Sequence, residues 1–182
     1  MAGDAHGFAL FDTPLGACAL VWGPNGLLGV YLPEADPHLT RARVHRRFPD
    51  AVETEPTPQV AEAISAVGRL LRGETENFAG VTLDLSAVPD FNRRVYDLAC
   101  TIPPGETLTY GEVAARIGEP GHAQAVGQAL GANPFPIIVP CHRVVAAGGK
   151  LHGFSAPGGL ATKRKLLAIE GSSLKGASLF GG

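Results

Sequence analysis

Turn sequences that contain glycine and proline divide the N-terminal part of the chain into short apolar segments. The turns Thr13–Gly16 and Gly23–Gly26 separate three partly alternating runs, at Phe8–Asp12, Ala17–Trp22 and Gly26–Leu32. Short alternating runs joined by tight turns are typical of neighbouring antiparallel strands. The pattern therefore predicts a strand meander and leaves no room for a long helix in this part of the fold.

Helical and strand signals follow the meander. His38–Phe48 and Gln59–Leu71 are predicted as helices, the second because its apolar residues recur at helical spacing and Gly73 follows its end. Val81–Leu85 is predicted as a further strand. Together these elements predict a small α+β domain over residues 1–89.

The chain becomes mostly helical after this first domain. Asp90 is predicted to cap a helix at Phe91–Thr101, and a last helix is predicted from Leu160 to Ile169. We expect a second domain over residues 90–171, with residues 172–182 as a flexible tail because that segment is rich in glycine and serine.

Two short helices lie in the middle of this second domain. They are predicted at Gly111–Ile117, directly after Thr109, and at His122–Gly131, with glycine and proline between them. Two short helices joined by such a turn suggest a helix-turn-helix, in which the later helix would read DNA. By itself this signal is weak, because helix pairs separated by glycine are common in helical cores.

Composition and cysteine content narrow the class of protein. Apolar residues make up 45% and charged residues 18% of the chain, as in ordinary globular proteins. No run reaches the roughly 18 apolar residues of a membrane span. The start, Met1–Phe11, does not resemble a signal peptide. The three cysteines form no disulfide or zinc-binding pattern, so we expect a reducing cytoplasm and no metal site.

The charge is distributed unevenly between the two halves. Residues 1–90 carry six basic and twelve acidic side chains, whereas residues 91–182 carry nine basic and five acidic ones. The formal net charge of the whole chain is −2. Attraction to phosphate depends on the local face rather than on the total. The second half can therefore bind DNA, although ordinary scatter of surface charge explains so small an excess equally well.

Cys141 is the cysteine with the most chemistry around it. It ends an apolar, proline-bracketed segment and is followed by His142 and Arg143. A cysteine nucleophile needs a lowered pKa or a nearby base, and Pro140 can open a helical turn whose dipole favours a thiolate. Adjacent residues of a turn point in different directions, so we expect His142 to act on Cys141 through a bridging water.

Two polar residues outside that segment are candidates to support it. Glu170 lies at the end of the last helix, where the dipole disfavours a carboxylate. It is a candidate acceptor that orients His142. Asn133 precedes Pro134 and either ends the recognition helix or fixes the chain between that helix and Cys141. Cys18 and Cys100 lack such neighbours and are expected to be packing residues.

Several segments together resemble one protein family. The resemblance lies in Ile138–Val145, Thr109–Ala114, Ala125–Pro134, Gly153–Gly159 and Leu167–Gly171, in matching order and spacing. They are similar to the motifs of the O6-alkylguanine-DNA alkyltransferases, also called methylated-DNA–protein-cysteine methyltransferases. The first half of the chain resembles the family only in size and in its strand and helix pattern.

The resemblance implies both a fold and a function. It implies a ribonuclease H-like N-terminal domain and a winged helix-turn-helix-like second domain. The implied function is repair of double-stranded DNA by a monomer that moves the alkyl group from O6-alkylguanine to its own cysteine, once per molecule and without a cofactor. Activity on O4-alkylthymine is left open.

The resemblance also implies a role for each site residue. Cys141 would accept the alkyl group, with His142 activating it through water, Glu170 orienting the imidazole and Asn133 supporting the turn. Tyr110 would help rotate the nucleotide out and donate a proton to the departing guanine. The implied pocket residues are Leu130, Val144, Phe154 and Ser155. The implied DNA-binding residues are Gln124, Ala125, Gly127, Gln128 and Arg143.

The sequence departs from the family at three places. Gln124 stands where relatives usually have an arginine that fills the gap left by the flipped base. Phe154 replaces a common tyrosine, and Ala156 and Pro157 lengthen the following loop. The first departure puts duplex affinity or flipping in doubt, and the others put the range of alkyl groups in doubt.

Three other functions compete with alkyl transfer. A non-catalytic lesion sensor of the same fold would lack the cysteine at position 141. A thiol hydrolase using Cys141 and His142 would regenerate its cysteine after each cycle. A helix-turn-helix regulator would usually need a dimer interface and specific base contacts, of which the sequence gives no sign.

Overall fold

The first half of the chain is built on a four-stranded sheet. The structure is a computed structural model that describes residues 7–151 and 157–172. The strands are β1 (Gly7–Thr13), β2 (Gly16–Gly23), β3 (Gly26–Tyr31) and β4 (Val52–Glu53). In the order β3-β2-β1-β4, the first three are antiparallel and β4 runs parallel to β1. The predicted meander is confirmed, and β4 is an addition to it.

Helices cover both faces of this sheet. Helix α1 (Pro37–Arg47) begins at Asp36, whose side chain accepts hydrogen bonds from two backbone N–H groups, and α2 (Pro58–Leu71) begins at Thr57 in a similar way. Successive side chains of β2 point to opposite faces of the sheet, so the strand contributes to the core on both sides. Ala19 and Val21 pack in the cluster that contains Val44 and Phe48. Cys18, Leu20 and Trp22 pack in the larger cluster that contains Val60 and Val67.

The predicted strand at Val81–Leu85 is wrong. This segment makes only an isolated bridge, in which Leu27 N–H donates to the Thr82 carbonyl (2.9 Å) and Asp84 N–H donates to the Leu27 carbonyl (2.8 Å). The Asp84 side chain then accepts from the Ser86 N–H, which turns the chain away after one bridge. The apolar residues pack against the core without extending the sheet.

The second half is mainly helical. Its elements are α3 (Asp90–Ala99), β5 (Leu108–Thr109), α4 (Tyr110–Arg116), α5 (Ala123–Gly131), β6 (Val144–Val145) and α6 (Gly159–Ile169). Strands β5 and β6 pair in parallel. The predicted helices are present, with bounds within about two residues. The predicted cap of α3 is wrong: Pro89 is the capping residue, and Asp90 lies in the first turn without a capping hydrogen bond.

One large apolar cluster joins the two halves. It contains Leu27 and Val67 from the first half and Val95, Val113 and Ile137 from the second. A backbone hydrogen bond also crosses between the halves, from Val30 N–H to the Pro134 carbonyl (2.8 Å). This bond fixes the chain just before the cysteine segment. Among the described residues, no helix is long and apolar enough to cross a membrane.

Candidate active site

The segment that leads to Cys141 has an unusual backbone. Ile137 is fully buried and has a φ of +76°, a value that a β-branched residue adopts only under strain. Hydrogen bonds hold this turn, from Val139 N–H to the Phe135 carbonyl (2.8 Å) and from Cys141 N–H to the Val139 carbonyl (2.7 Å). The surrounding core therefore imposes a single path on the chain that delivers Cys141.

Asn133 ties the two ends of this turn together. Its Nδ2 donates to the Val139 carbonyl (3.0 Å), and its Oδ1 accepts from the Phe135 N–H (2.9 Å). Of the two alternatives that the sequence left open, the geometry favours the second, because both hydrogen bonds hold the segment that precedes the cysteine. A hydrogen bond from Asn133 also favours the thiolate form of Cys141.

Cys141 begins a single 3₁₀ turn, Cys141–Arg143, directly after Pro140. Burial raises the pKa of its thiol, and the hydrogen bond from Asn133, the charge of Lys163 and nearby backbone N–H groups offset only part of that rise. The backbone N–H groups of the turn favour the thiolate, as expected, but burial outweighs them. The resting side chain is therefore a thiol, and its activation requires a base.

His142 is placed to serve as that base. It is fully buried, and its Nε2 lies 2.7 Å from Glu170 Oε1. Burial lowers the pKa of the imidazole, although Glu170 opposes that effect, so the ring is neutral at neutral pH. A carboxylate can only accept, so Nε2 carries the proton and Nδ1 has a free lone pair. Nδ1 has no hydrogen-bond partner among the described residues.

Glu170 holds both His142 and Arg143. Arg143 donates from Nε to Oε2 (3.0 Å) and from Nη2 to Oε1 (2.7 Å), and its Nη1 donates to the Ile102 carbonyl (2.6 Å). Burial alone would raise the pKa of the Glu170 carboxyl, but the hydrogen bonds and charges of His142 and Arg143 lower it to about 2. The carboxylate is therefore ionised and keeps its acceptor role at any pH near neutrality.

Arg143 does not lie where the sequence predicted it. We expected it to contact DNA, but it is only 4% exposed and its guanidinium is bound by Glu170 and a backbone carbonyl. An arginine in this position anchors the closing helix to the cysteine turn. We therefore exclude Arg143 from the DNA-contacting residues.

A pocket of about 620 Å³ opens beside Cys141. This volume is in the range of small-ligand sites, which is about 300–1,000 Å³. Leu130 and Asn133 line it together with Pro136 and Pro157. Residues of the first half also line it, among them Tyr31, Arg43, Arg47 and Phe48. Phe154 and Ser155, predicted as pocket residues, lie outside the described residues.

Tyr110 and α5 contain the remaining residues that were predicted to act on the DNA. Tyr110 is half-buried at the start of α4, which is fixed by a capping box between Thr109 and Glu112. Burial raises the pKa of the Tyr110 hydroxyl, and a negative charge on Cys141 would raise it further. On α5, Gln124 and Gln128 are exposed, whereas Ala125 and Gly127 are half-buried.

Comparisons with known proteins identify the family. The family model described as "6-O-methylguanine DNA methyltransferase, DNA binding domain" matches residues 90–172. A protein from Mycolicibacterium paratuberculosis, named methylated-DNA–protein-cysteine methyltransferase, is 45% identical over 150 residues, which is 81% of this chain and 87% of that protein. The chain belongs to the methylated-DNA–protein-cysteine methyltransferase family.

Other methyltransferases of this family show the same relationship. A relative from Methanothermobacter thermautotrophicus is 34% identical over 90% of this chain and 84% of its own length. The crystal structure of Mycobacterium tuberculosis OGT in complex with DNA has a TM-score of 0.72 and 37% identity, and the match covers 90% of this chain and 92% of that one. The mixed α+β fold is therefore shared by family members at full length.

One buried residue beside the methyltransferase site was missed. Lys163 is 1% exposed, and its Nζ donates to the Val144 carbonyl (2.8 Å). The sequence signal is the position of this lysine, which precedes Leu166 by three residues and Leu167 by four. It therefore lies on the apolar face of α6. Val144, which was predicted as a pocket residue, is fully buried and is not among the residues that line the pocket beside Cys141. Among the described residues, no group of histidine, cysteine or acidic side chains is arranged to hold a metal ion.

Proposed function

We propose that Cys141 accepts the alkyl group from O6-alkylguanine in double-stranded DNA and that each molecule acts once. The observation that carries this proposal is the buried chain of hydrogen bonds from Arg143 and Glu170 to His142, next to a cysteine at the edge of a pocket. This arrangement supplies a base for a thiol that would otherwise stay protonated.

The transfer is an in-line displacement at the alkyl carbon. The thiol proton of Cys141 moves through a bridging water to Nδ1 of His142, and Glu170 stabilises the imidazolium that forms. Sγ then bonds to the alkyl carbon as the carbon–O6 bond breaks. Tyr110 donates a proton to the departing guanine, so the base leaves as a neutral molecule. The S-alkyl thioether has no easy leaving path, which makes the reaction stoichiometric.

The target base must leave the duplex to reach Cys141. Extrusion costs a few kcal/mol, and less for a base that pairs poorly, as alkylguanine does. We assign α4 and α5 to a winged helix-turn-helix-like unit, with Gln124 and Gln128 on the exposed side of α5 facing the DNA. Gly127 of α5 lies beside the Tyr110 ring of α4, where a Cβ would be at an ordinary van der Waals distance of 3.9 Å.

The first half supports the second in this scheme. We assign it a ribonuclease H-like fold over residues 1–89, followed by the reacting domain over residues 90–171. We further propose a monomer that works in a reducing compartment such as the cytoplasm, because the reaction consumes a reduced thiol. The pocket wall that includes Pro136 and Pro157 would set the accepted alkyl groups and any activity on O4-alkylthymine.

The test is a count of lesions repaired per protein molecule. Duplex DNA that carries O6-methylguanine is incubated with increasing amounts of protein, and the remaining lesion is measured by chromatography. We expect a plateau at one lesion per molecule, no repair by Cys141→Ser, and full repair by Cys100→Ser, which alters an exposed cysteine. Repeated turnover would favour the thiol hydrolase, and binding without repair would favour the lesion sensor.

A further inference from the structure

The pocket beside Cys141 is larger than a methyl group requires. Its volume is about 620 Å³, and Pro136 lines it together with side chains of the first half. Four of these side chains form what we call the arginine face: Tyr31, Arg43, Arg47 and Phe48. Tyr110, which the proposed function places beside the departing guanine, is not among the lining residues. The space that the arginine face lines is therefore available to the group that is transferred.

The arginine face lies directly beside the segment that leads to Cys141. A Cβ at Gly29 would lie 3.1 Å from the Tyr31 ring, 3.7 Å from the Phe48 ring and 3.8 Å from the Pro134 carbonyl oxygen. The same carbonyl accepts the hydrogen bond from Val30 N–H, which fixes this approach (2.8 Å). The two rings and the segment before the cysteine therefore meet at Gly29, without a side chain between them.

Both arginines of this face are stacked on aromatic rings. The Arg43 guanidinium lies 5.8 Å from the centroid of the Tyr31 ring, and that of Arg47 lies 5.3 Å from the centroid of the Phe48 ring. Stacking orients a guanidinium and leaves the N–H groups at its edge able to bind a carboxylate. Burial raises the pKa of the Tyr31 hydroxyl, although the charges of Arg43 and Arg47 oppose that effect, so this hydroxyl is protonated and can also donate.

The charged lining of the pocket is mainly cationic. Arg43 is 3.4 Å from Glu34, whereas Arg46 and Arg47 form no ion pair within the part of the chain that the structure describes. All three arginines line the pocket, and the acidic residue that accompanies them is Asp84. Its carboxylate already accepts two hydrogen bonds from a serine two residues further on (3.0 and 2.6 Å). The pocket therefore suits an anion.

We propose that the arginine face is a subsite for the far end of a bulky anionic adduct, such as a carboxylated benzyl group on O6 of guanine. This inference rests on the proposed function and names a class of substrate for it. In an in-line displacement, Sγ of Cys141, the reacting carbon and O6 lie on one line, so a substituent on that carbon projects sideways into the pocket. Sγ bonds to the benzylic carbon, the electron pair of the carbon–O6 bond stays with guanine, and guanine takes up a proton.

A phosphate of the DNA backbone has the same binding chemistry as a carboxylate. The adduct is the favoured source of the anion because the arginine face lines the same pocket as Cys141, to which the adduct becomes attached. The test therefore uses modified guanine as the free base, which carries no phosphate.

Two free bases of the same shape are compared, O6-(4-carboxybenzyl)guanine and its neutral analogue O6-(4-carbamoylbenzyl)guanine. The rate at which each modifies Cys141 is followed by intact-protein mass spectrometry. We expect the wild-type protein to react about 10-fold faster with the carboxylate, which is the order of effect of a charge-assisted hydrogen bond. The difference should shrink as salt is added, because the arginines are partly exposed.

Variants of the arginine face should remove this preference. Replacing both Arg43 and Arg47 by methionine should slow transfer of the carboxybenzyl group by about 10-fold and that of the carbamoylbenzyl group by less than about 2-fold. The matched control is Arg41→Met, which alters an arginine of the same helix that pairs with Glu53 and does not line the pocket. It should react with both bases at the wild-type rate.

Equal rates with the two bases in the wild-type protein would overturn the inference. So would a loss in the double variant that is the same for both bases and for a duplex carrying O6-methylguanine, because the arginines would then bind backbone phosphate or support the fold. If the wild-type protein takes no group from either base or from the methylated duplex, the proposed function itself fails, and with it this inference.

Discussion

Among the polar residues of the site, Glu170 is the one whose loss we expect to lower the free energy of unfolding most. Its side chain is 2% exposed and faces an arginine that is 5% exposed, with 2.7 Å between Arg143 Nη2 and Glu170 Oε1. In Glu170→Gln, an amide N–H₂ would face guanidinium N–H groups, and the buried cation would lose its countercharge. Breaking a buried pair on one side costs about 3–5 kcal/mol.

The lowered pKa of Glu170 leads to a magnitude of the same order. Its fall from 4.5 to about 2 corresponds to about 3 kcal/mol of stabilisation of the charged form. Because the pKa is lowered in the folded state, this stabilisation is present above about pH 4.5 and is lost as the pH falls toward about 2. Since a domain is stable by only about 5–15 kcal/mol, the loss is large.

Urea unfolding followed by circular dichroism measures the effect. At neutral pH, we expect Glu170→Gln to lower the free energy of unfolding by about 3–5 kcal/mol, and the difference from wild type should shrink between pH 4.5 and 2. The matched control is Glu62→Gln, which removes a partner of Arg69 at the same 2.7 Å distance but with 61% of the glutamate exposed. It should cost less than about 1 kcal/mol. Equal losses in the two variants would refute the reasoning.

Three further variants test other parts of the site. Asn133→Ala should lower the free energy of unfolding by about 1–3 kcal/mol and slow methyl transfer, because it frees two backbone groups and shifts the cysteine turn. Asn77→Ala, which breaks a similar but exposed Asn–backbone contact, should leave transfer unchanged. Gln124→Arg should speed repair of duplex DNA but not of the free base, and equal rates on the duplex would count against the role given to position 124. Thr109→Ala should lower the free energy of unfolding by about 1 kcal/mol through loss of the α4 cap, and an unchanged denaturation midpoint would contradict this.

The sequence predicts most of the fold because its signals are local. The meander, α1, α2 and α4–α6 are marked by turn residues, capping residues and apolar periodicity within each segment. The Val81–Leu85 strand was wrong and β4 was missed, since pairing of such short segments depends on a distant partner. Strands β5 and β6 were missed for the same reason, because each has only two residues and pairs with a distant segment.

The same distinction between local signals and distant contacts applies to the candidate site. Cys141 and His142 are adjacent in sequence, so their chemistry is visible in one motif. Contact between His142 and Glu170 spans 28 positions, and the spacing alone could not establish it. The expectation that Arg143 contacts DNA was wrong, and burial outweighs the effect of the turn on the pKa of Cys141, because the local sequence does not report burial. Lys163 was missed for the same reason.

Intact-protein mass spectrometry, followed by peptide mapping, tests the central claim most directly. The protein is mixed with a short duplex that carries O6-methylguanine, in increasing ratios of DNA to protein. We predict a gain of one methyl group per molecule, which saturates at one equivalent and maps to Cys141, with none on Cys18 or Cys100. Loss of the lesion while the protein stays unmodified, or a methyl group on another residue, would contradict the assignment of Cys141 as the acceptor.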